Sequence, residues 1–264
     1  MENVLITLGD SFTWGQGLDY HLRKDKYPTS FKVMKDDNSY PFPHLVSSNV
    51  VEFDEFRKKN NFSNTLNEKL GTSLVTNFEN GGSNVRRIND LENLIKFFKI
   101  EPSMVPKYCV FQLTHSIRDF DEILINRGEG FLKILGDEYC YKIRNWANGA
   151  HVNSNEYDEL YPELYLKTIN LITDKFKQLE KEFSCKCIFF HGLGDVDLIK
   201  QFESELKLNP YYFELVFNDL TYMTLLDLSH KNKLTIKDVL GFFDDHPSLE
   251  LHNWLSEELY KKLL

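Results

Sequence analysis

Asn3-Val4-Leu5-Ile6-Thr7-Leu8-Gly9-Asp10-Ser11-Phe12-Thr13-Trp14-Gly15-Gln16-Gly17 runs a short apolar strand straight into a turn carrying a single serine. A serine at a strand-to-helix turn projects its hydroxyl above the sheet edge. The helix that follows aims its free N–H groups at the same point. Gly-Asp-Ser also occurs in ordinary turns, so a catalytic reading of Ser11 requires a histidine with a nearby acid elsewhere in the chain.

Further strand-length apolar runs recur at wide spacing: Ser73–Asn77, Tyr108–Leu113, Lys186–His191 and a weaker one near Val239–Phe243. Helical patterns separate most of them. Phe62–Leu70 is one. Val85–Ile100 is another, with Ile88, Leu91, Leu94, Ile95 and Phe98 on one stripe. Leu160–Phe183 is the clearest, and Asp195–Leu206 and Phe217–Leu226 are shorter candidates. Strands alternating with helices predict an α/β fold: a mostly parallel, five-stranded sheet covered on both faces. Two stretches break the rhythm, about 18–55 and 116–155. Both read as long insertions leaving the carboxyl ends of strands, the edge where ligands bind in open α/β sheets. No linker or repeat divides residues 1–264, so one domain is expected.

The chain has 264 residues, 42% of them hydrophobic, with a net charge of −9 and a pI near 5.4. That acidity argues against nucleic acid as a partner. No run approaches the length of a membrane span, and with a strand entered at once no signal peptide is expected. Cys185 and Cys187 share one face of a strand, and Cys109 sits in another apolar run. With no second Cys pair and no His-x-x-x-His, these read as buried reduced thiols rather than a metal site. A reducing, cytoplasmic setting is expected. No Gly-rich phosphate loop follows the first strand, so no cofactor is expected. Oligomeric state is not legible.

A histidine with adjacent acids appears near the other end, in Phe242-Phe243-Asp244-Asp245-His246-Pro247-Ser248, before an amphipathic segment from Leu249 to Leu264. A histidine that deprotonates a serine needs a carboxylate to fix its tautomer. On an extended segment Asp244 and His246 share a side while Asp245 faces away, which makes Asp244 the first choice and Asp245 the reserve. The simpler alternative is a capped helix start, with Ser248 as N-cap. Two intermediate segments add to the pattern. Asn77-Phe78-Glu79-Asn80-Gly81-Gly82-Ser83-Asn84 opens a helix with paired glycines that let backbone approach a ligand; its plain alternative is a glycine turn capped by Ser83 or Asn84. The strand ending Phe111-Gln112-Leu113-Thr114-His115-Ser116 sets short polar groups at the same edge.

In this order the segments resemble the SGNH (GDSL-type) hydrolases, a family of serine esterases and lipases. Gly9-Asp10-Ser11 matches the first block, Asn77 and Gly82 match the second in spacing, and Asp244 with His246-Pro247 matches the last. His252 is similar to a second histidine common in the following helix. The resemblance implies a three-layer, flavodoxin-like sheet and a Ser11–His246–Asp244 triad that hydrolyses carboxylic esters of short acyl groups or acetylated carbohydrates. It also implies an oxyanion hole made by the backbone N–H groups of Ser11 and Gly82. The chain departs from the pattern twice. The acid stands two residues before the histidine rather than three, and Thr114-His115-Ser116-Ile117 replaces the Gly-x-Asn-Asp block whose asparagine donates to the oxyanion. Ser116 or Asn84 are the candidates for that third donor, and Trp14 and His115 for lining the substrate. Arg86, Arg87 and Arg118 could gather around an anionic group, exposed surface charge being their default reading. His191 reads as a strand-end residue. Two rival functions remain: a non-catalytic scaffold binding carbohydrate or ester, and an acyltransferase.

Overall fold

A computed structural model of the protein describes residues 1–15, 18, 51–76, 82–125, 130–148, 154–235 and 246–264. Strand β1 (Glu2–Leu8) leads into a single helical turn, α1 (Ser11–Trp14). Helices α2 (Val51–Asn60) and α3 (Phe62–Leu70) precede β2 (Ser73–Thr76). Next come α4 (Asn84–Ile100), β3 (Met104–Leu113), α5 (Ser116–Ile125), a 3₁₀ turn at Gly130–Leu135, α6 (Asp137–Asn148) and the long α7 (Ser154–Phe183). The remainder holds β4 (Lys186–His191), α8 (Val196–Gln201), α9 (Glu203–Leu208), the hairpin β5 (Leu215–Phe217) and β6 (Leu220–Tyr222), α10 (Leu225–Lys231) and α11 (Leu249–Leu263).

The fold is α/β, and the main sheet is parallel throughout in the order β2-β1-β3-β4. Among the described residues it has four strands rather than five, because Val239–Phe243 lies outside them. Beyond β4, Tyr212 forms a single parallel bridge with Phe189; Phe189 N donates to the Tyr211 carbonyl and Phe213 N to the Phe189 carbonyl, both at 2.8 Å. The β1–β3 register slips between Val4 and Leu5, which face Pro106 and Tyr108. Pro106 has no N–H to give the ladder, and a central strand tolerates it at such an irregularity.

Alternate residues of each strand feed two different cores. Val4, Ile6, Leu8, Cys109, Phe111, Leu113, Cys187 and Phe189 meet the stripe of α4 (Ile88, Leu91, Ile95, Phe98) and that of α7 (Ile169, Ile172, Phe176, Leu179). Leu5, Val110, Ile188 and Phe190 meet α3, α10 and α11 through Phe62, Leu66, Leu225, Leu228, Leu251, Leu255 and Leu259. Burial on both faces explains why β1, β3 and β4 read as apolar runs, while β2 at the edge is half-buried. Among the described residues no helix is long and apolar enough to cross a membrane. All four cysteines are free and buried.

Three readings of the sequence change. The stretch 116–155 is largely helical, and α5, the 3₁₀ turn and α6 pack on α4 and α7 through a core of their own: Val85, Phe120, Ile123, Leu135, Cys140, Ile143, Leu160 and Leu164. Phe217–Leu226 is a hairpin followed by a helix start, not one helix. Asn218 and Asp219 carry φ of +49° and +62°, the paired left-handed residues of a two-residue hairpin turn. Asp195–Leu206 breaks at Phe202 into α8 and α9. The 18–55 stretch lies outside the described residues except for Leu18 and the first turn of α2.

Candidate active site

Three strand ends converge on one buried amide. Gln112, the penultimate residue of β3, is 1% exposed; its Nε2 donates to Asp10 Oδ1, and its Oε1 accepts from Thr13 Oγ1 at 2.6 Å. Glycines on either side permit this approach. A Cβ on Gly9 would stand 2.1 Å from Thr13 Oγ1, and one on Gly192 would stand 2.1 Å from Gln112 Nε2. The loops after β1 and β4 are thus drawn against the end of β3. Gly192 N adds a bond to the Leu113 carbonyl at 2.9 Å. Asp10 is fully buried, and its Oδ1 also accepts Phe12 N at 3.0 Å, wrapping the backbone of Ser11 into a tight turn. Arg118 Nη1 reaches Asp10 Oδ2 at 3.4 Å.

Ser11 is the first residue of α1 and Trp14 the last; neither side chain is among the described parts of the structure. The helix after Ser11 is a single turn before Gly15 at φ +78°. His246 is partly buried, and its ring lies edge-on to Phe12 with centroids 5.3 Å apart and planes at 69°. The neighbour of Ser11 therefore touches a histidine from the opposite end of the chain. Pro247 and Ser248 follow as the sequence implied, with Ser248 Oγ capping α11 by accepting Leu251 N at 3.3 Å. The capped-helix reading and the packing of His246 on Phe12 hold together. Asp244, Asp245 and Asn77 lie outside the described residues.

Gly82 carries a φ of +105°, a conformation that favours glycine, and the tip of the Arg87 side chain packs against it, with Nη2 2.7 Å from where a Cβ would stand. Ser83 is the N-cap of α4, accepting Arg86 N at 3.2 Å. Asn84 then fastens α4 to the end of β3. Its Oδ1 accepts Thr114 N at 2.8 Å, and its Nδ2 donates to the Thr114 carbonyl at 3.1 Å and to Asp119 Oδ2 at 2.9 Å. Both amide protons are engaged, which removes Asn84 as a candidate oxyanion donor and makes it a brace for the neighbouring Gly82 loop. Ser116, buried at the start of α5, stays a candidate.

Asp119 is the residue sequence reasoning missed most completely. It is fully buried; Oδ1 accepts Val85 N at 2.9 Å while Oδ2 takes the Asn84 amide. Burial pushes its carboxyl up from 3.8 to about 7, against the opposing pull of those two donors. Ser116-Ile117-Arg118-Asp119 has the spacing of a capping box, yet the carboxylate serves the N-terminus of α4 rather than its own helix. Gln112 was visible only as a lone amide inside Tyr108–Leu113, with nothing in the pattern to say what it would hold.

His115 is half-buried, and burial followed by the Arg118 guanidinium lowers its pKa from the ordinary value, with Asp10 and Asp195 acting the other way. His191 ends β4, as read; it is 2% exposed, pulled down to about 3 by burial, and its Nε2 lies 3.0 Å from the Tyr165 hydroxyl. His252 is buried beneath α3, its Nδ1 accepting the N–H of Phe62 at 3.1 Å in the first turn of that helix. The three arginines are not plain surface charge. Arg87 is 4% exposed and pairs with Asp90 at 2.7 Å, Arg86 meets Glu122 at 3.2 Å, and Arg118 meets Asp10. No family model matches the chain, and neither a curated protein nor a solved structure matches it significantly.

Proposed function

We propose that the protein is a serine hydrolase of carboxylic esters, built on a three-layer, flavodoxin-like sheet of the SGNH type. The parallel order β2-β1-β3-β4 supports the fold, since it supplies the first four positions of the 2-1-3-4-5 doubly wound arrangement. The observation that carries the function is the contact of His246 with Phe12, the residue after Ser11. In the reaction, Ser11 Oγ attacks the ester carbonyl as His246 takes its proton, with Asp244 holding the imidazole. The oxyanion is received by the backbone N–H groups of Ser11 and Gly82. Collapse releases the alcohol, protonated by His246, and leaves an acyl-Ser11 that water hydrolyses by the reverse proton path. The Gln112 clasp and the Asn84 brace fix the loops bearing Ser11 and Gly82, which is what preorganised catalysis requires.

The test is a panel of nitrophenyl esters and acetylated sugars run on the wild type and on Ser11→Ala. Activity on at least one ester that disappears in the variant is expected; full activity in Ser11→Ala ends the proposal. A second reading, a scaffold that binds carbohydrate or ester without turning it over, is favoured by one fact: Asn84, a candidate oxyanion donor, has both amide protons engaged. Binding of an acetylated sugar with no turnover would select it.

A further inference from the structure

We propose that Arg118 is a catalytic residue of this site: its guanidinium supplies the third donor to the oxyanion, in place of the asparagine that the chain lacks. The inference rests on the hydrolase reading and adds a residue to it. Arg118 stands in the first turn of α5, just past the end of β3 and one residue beyond the Thr114–Ile117 segment that replaces the Gly-x-Asn-Asp block. Its Nη1 contacts Asp10, the residue before Ser11, so the guanidinium lies beside the nucleophile loop.

The contact with Asp10 is long, 3.4 Å, and its side chain is 34% exposed. A guanidinium carries five N–H donors, and one long bond leaves most of them available. Among the described residues the Arg118 guanidinium has no hydrogen-bond partner besides Asp10, whereas Arg87 and Arg86 are held by Asp90 and Glu122 on shorter contacts. Two other polar side chains of this edge are already engaged: Asn84 has both amide protons bonded, and Gln112 holds Asp10 and Thr13. Burial, followed by Arg118 itself, lowers the pKa of His115. Arg118 thus brings a guanidinium to the mouth of the strand ends. When Ser11 Oγ bonds to the carbonyl carbon, its proton passes to His246 and the carbonyl π pair moves onto oxygen. Arg118 donates a hydrogen bond to that oxygen and stays protonated throughout. A charge-assisted bond from a guanidinium is stronger than the neutral amide bond it replaces.

The test compares the wild type, Arg118→Ala, Arg118→Lys and Ser11→Ala on a neutral ester, nitrophenyl acetate, and an anionic one, nitrophenyl hemisuccinate, with and without added guanidinium ion. Arg118→Ala is expected to lower kcat on both esters by about 10²–10³, leave KM within about threefold, and recover part of the loss with guanidinium. Ser11→Ala shows no such recovery, and Arg118→Lys falls between. Unchanged kcat in Arg118→Ala overturns the proposal. So does a loss confined to KM for the anionic ester, which makes Arg118 a substrate anchor. A loss with a lower unfolding midpoint and no recovery by guanidinium also overturns it, making Arg118 a brace for Asp10. An inactive Ser11→Ala beside a fully active Arg118→Ala refutes this inference alone; a wild type that hydrolyses neither ester refutes the hydrolase reading with it.

Discussion

Replacing Asp119 by asparagine changes the sign of its effect with pH, and the structure gives the size. The carboxyl is fully buried and held near 7 in the folded chain, against 3.8 when unfolded. Between those values the unfolded state has released the proton that the folded state still binds, so stability falls as pH rises. The contribution is fully present below about pH 4 and lost by about pH 7, a span on the order of 4 kcal/mol. Asparagine removes that slope. It keeps an oxygen for Val85 N but turns an NH₂ toward the Asn84 amide, donor against donor, at a cost of about 1–3 kcal/mol. Asp119→Asn is therefore expected to be less stable than wild type near pH 4.5 and equal or more stable near pH 8. Urea unfolding followed by circular dichroism at several pH values reads the difference. A difference that does not vary with pH refutes the reasoning. One that rises with pH reverses it, showing that the two donors outweigh desolvation and hold the folded pKa below 3.8.

Gly192→Ala places a methyl against the Gln112 amide and is expected to cost about 3 kcal/mol, while Gly71→Ala, at φ +61° in open space, costs about 1 kcal/mol; parallel denaturation curves test the contrast. Phe176→Ala, which empties a fully buried site between α7 and β4, should lose about 3–5 kcal/mol in the same assay. Asn218→Val puts a β-branched residue at φ +49° and should cost about 1–2 kcal/mol, seen as a lower unfolding midpoint with an unchanged m-value.

β1, β3 and β4 were legible because their apolar runs are buried on both faces, while β2, half-buried at the sheet edge, was legible from the short Leu74-Val75 run between two helices. The striped helices α3, α4, α7 and α11 were legible from their period. The hairpin was misread because Phe217–Leu226 has apolar spacing that fits a helix, while the deciding signal was local: Asn218 and Asp219 in a left-handed turn. The 116–155 region read as an insertion because Gly128, Gly130, Gly136 and Gly149 break up its pattern, and its buried positions, Phe120, Ile123, Leu135, Cys140 and Ile143, face a small separate core. At the candidate site the sequence indicated which loops meet at the carboxyl edge but not what holds them. The Gln112 clasp, the Asn84 brace and the Asp119 cap are long-range polar contacts between elements, and no periodicity encodes those. Arg118 was read as exposed for the same reason: its carboxylate partner, Asp10, becomes visible only in three dimensions.

The central claim is that Ser11 is a nucleophile activated by His246. It is tested most directly by treating the protein with a fluorophosphonate and mapping the adduct by mass spectrometry. The account predicts one adduct, on Ser11, absent in Ser11→Ala and formed at least about 10³-fold more slowly in His246→Ala. No adduct, an adduct on another residue, or an undiminished rate in His246→Ala would contradict it.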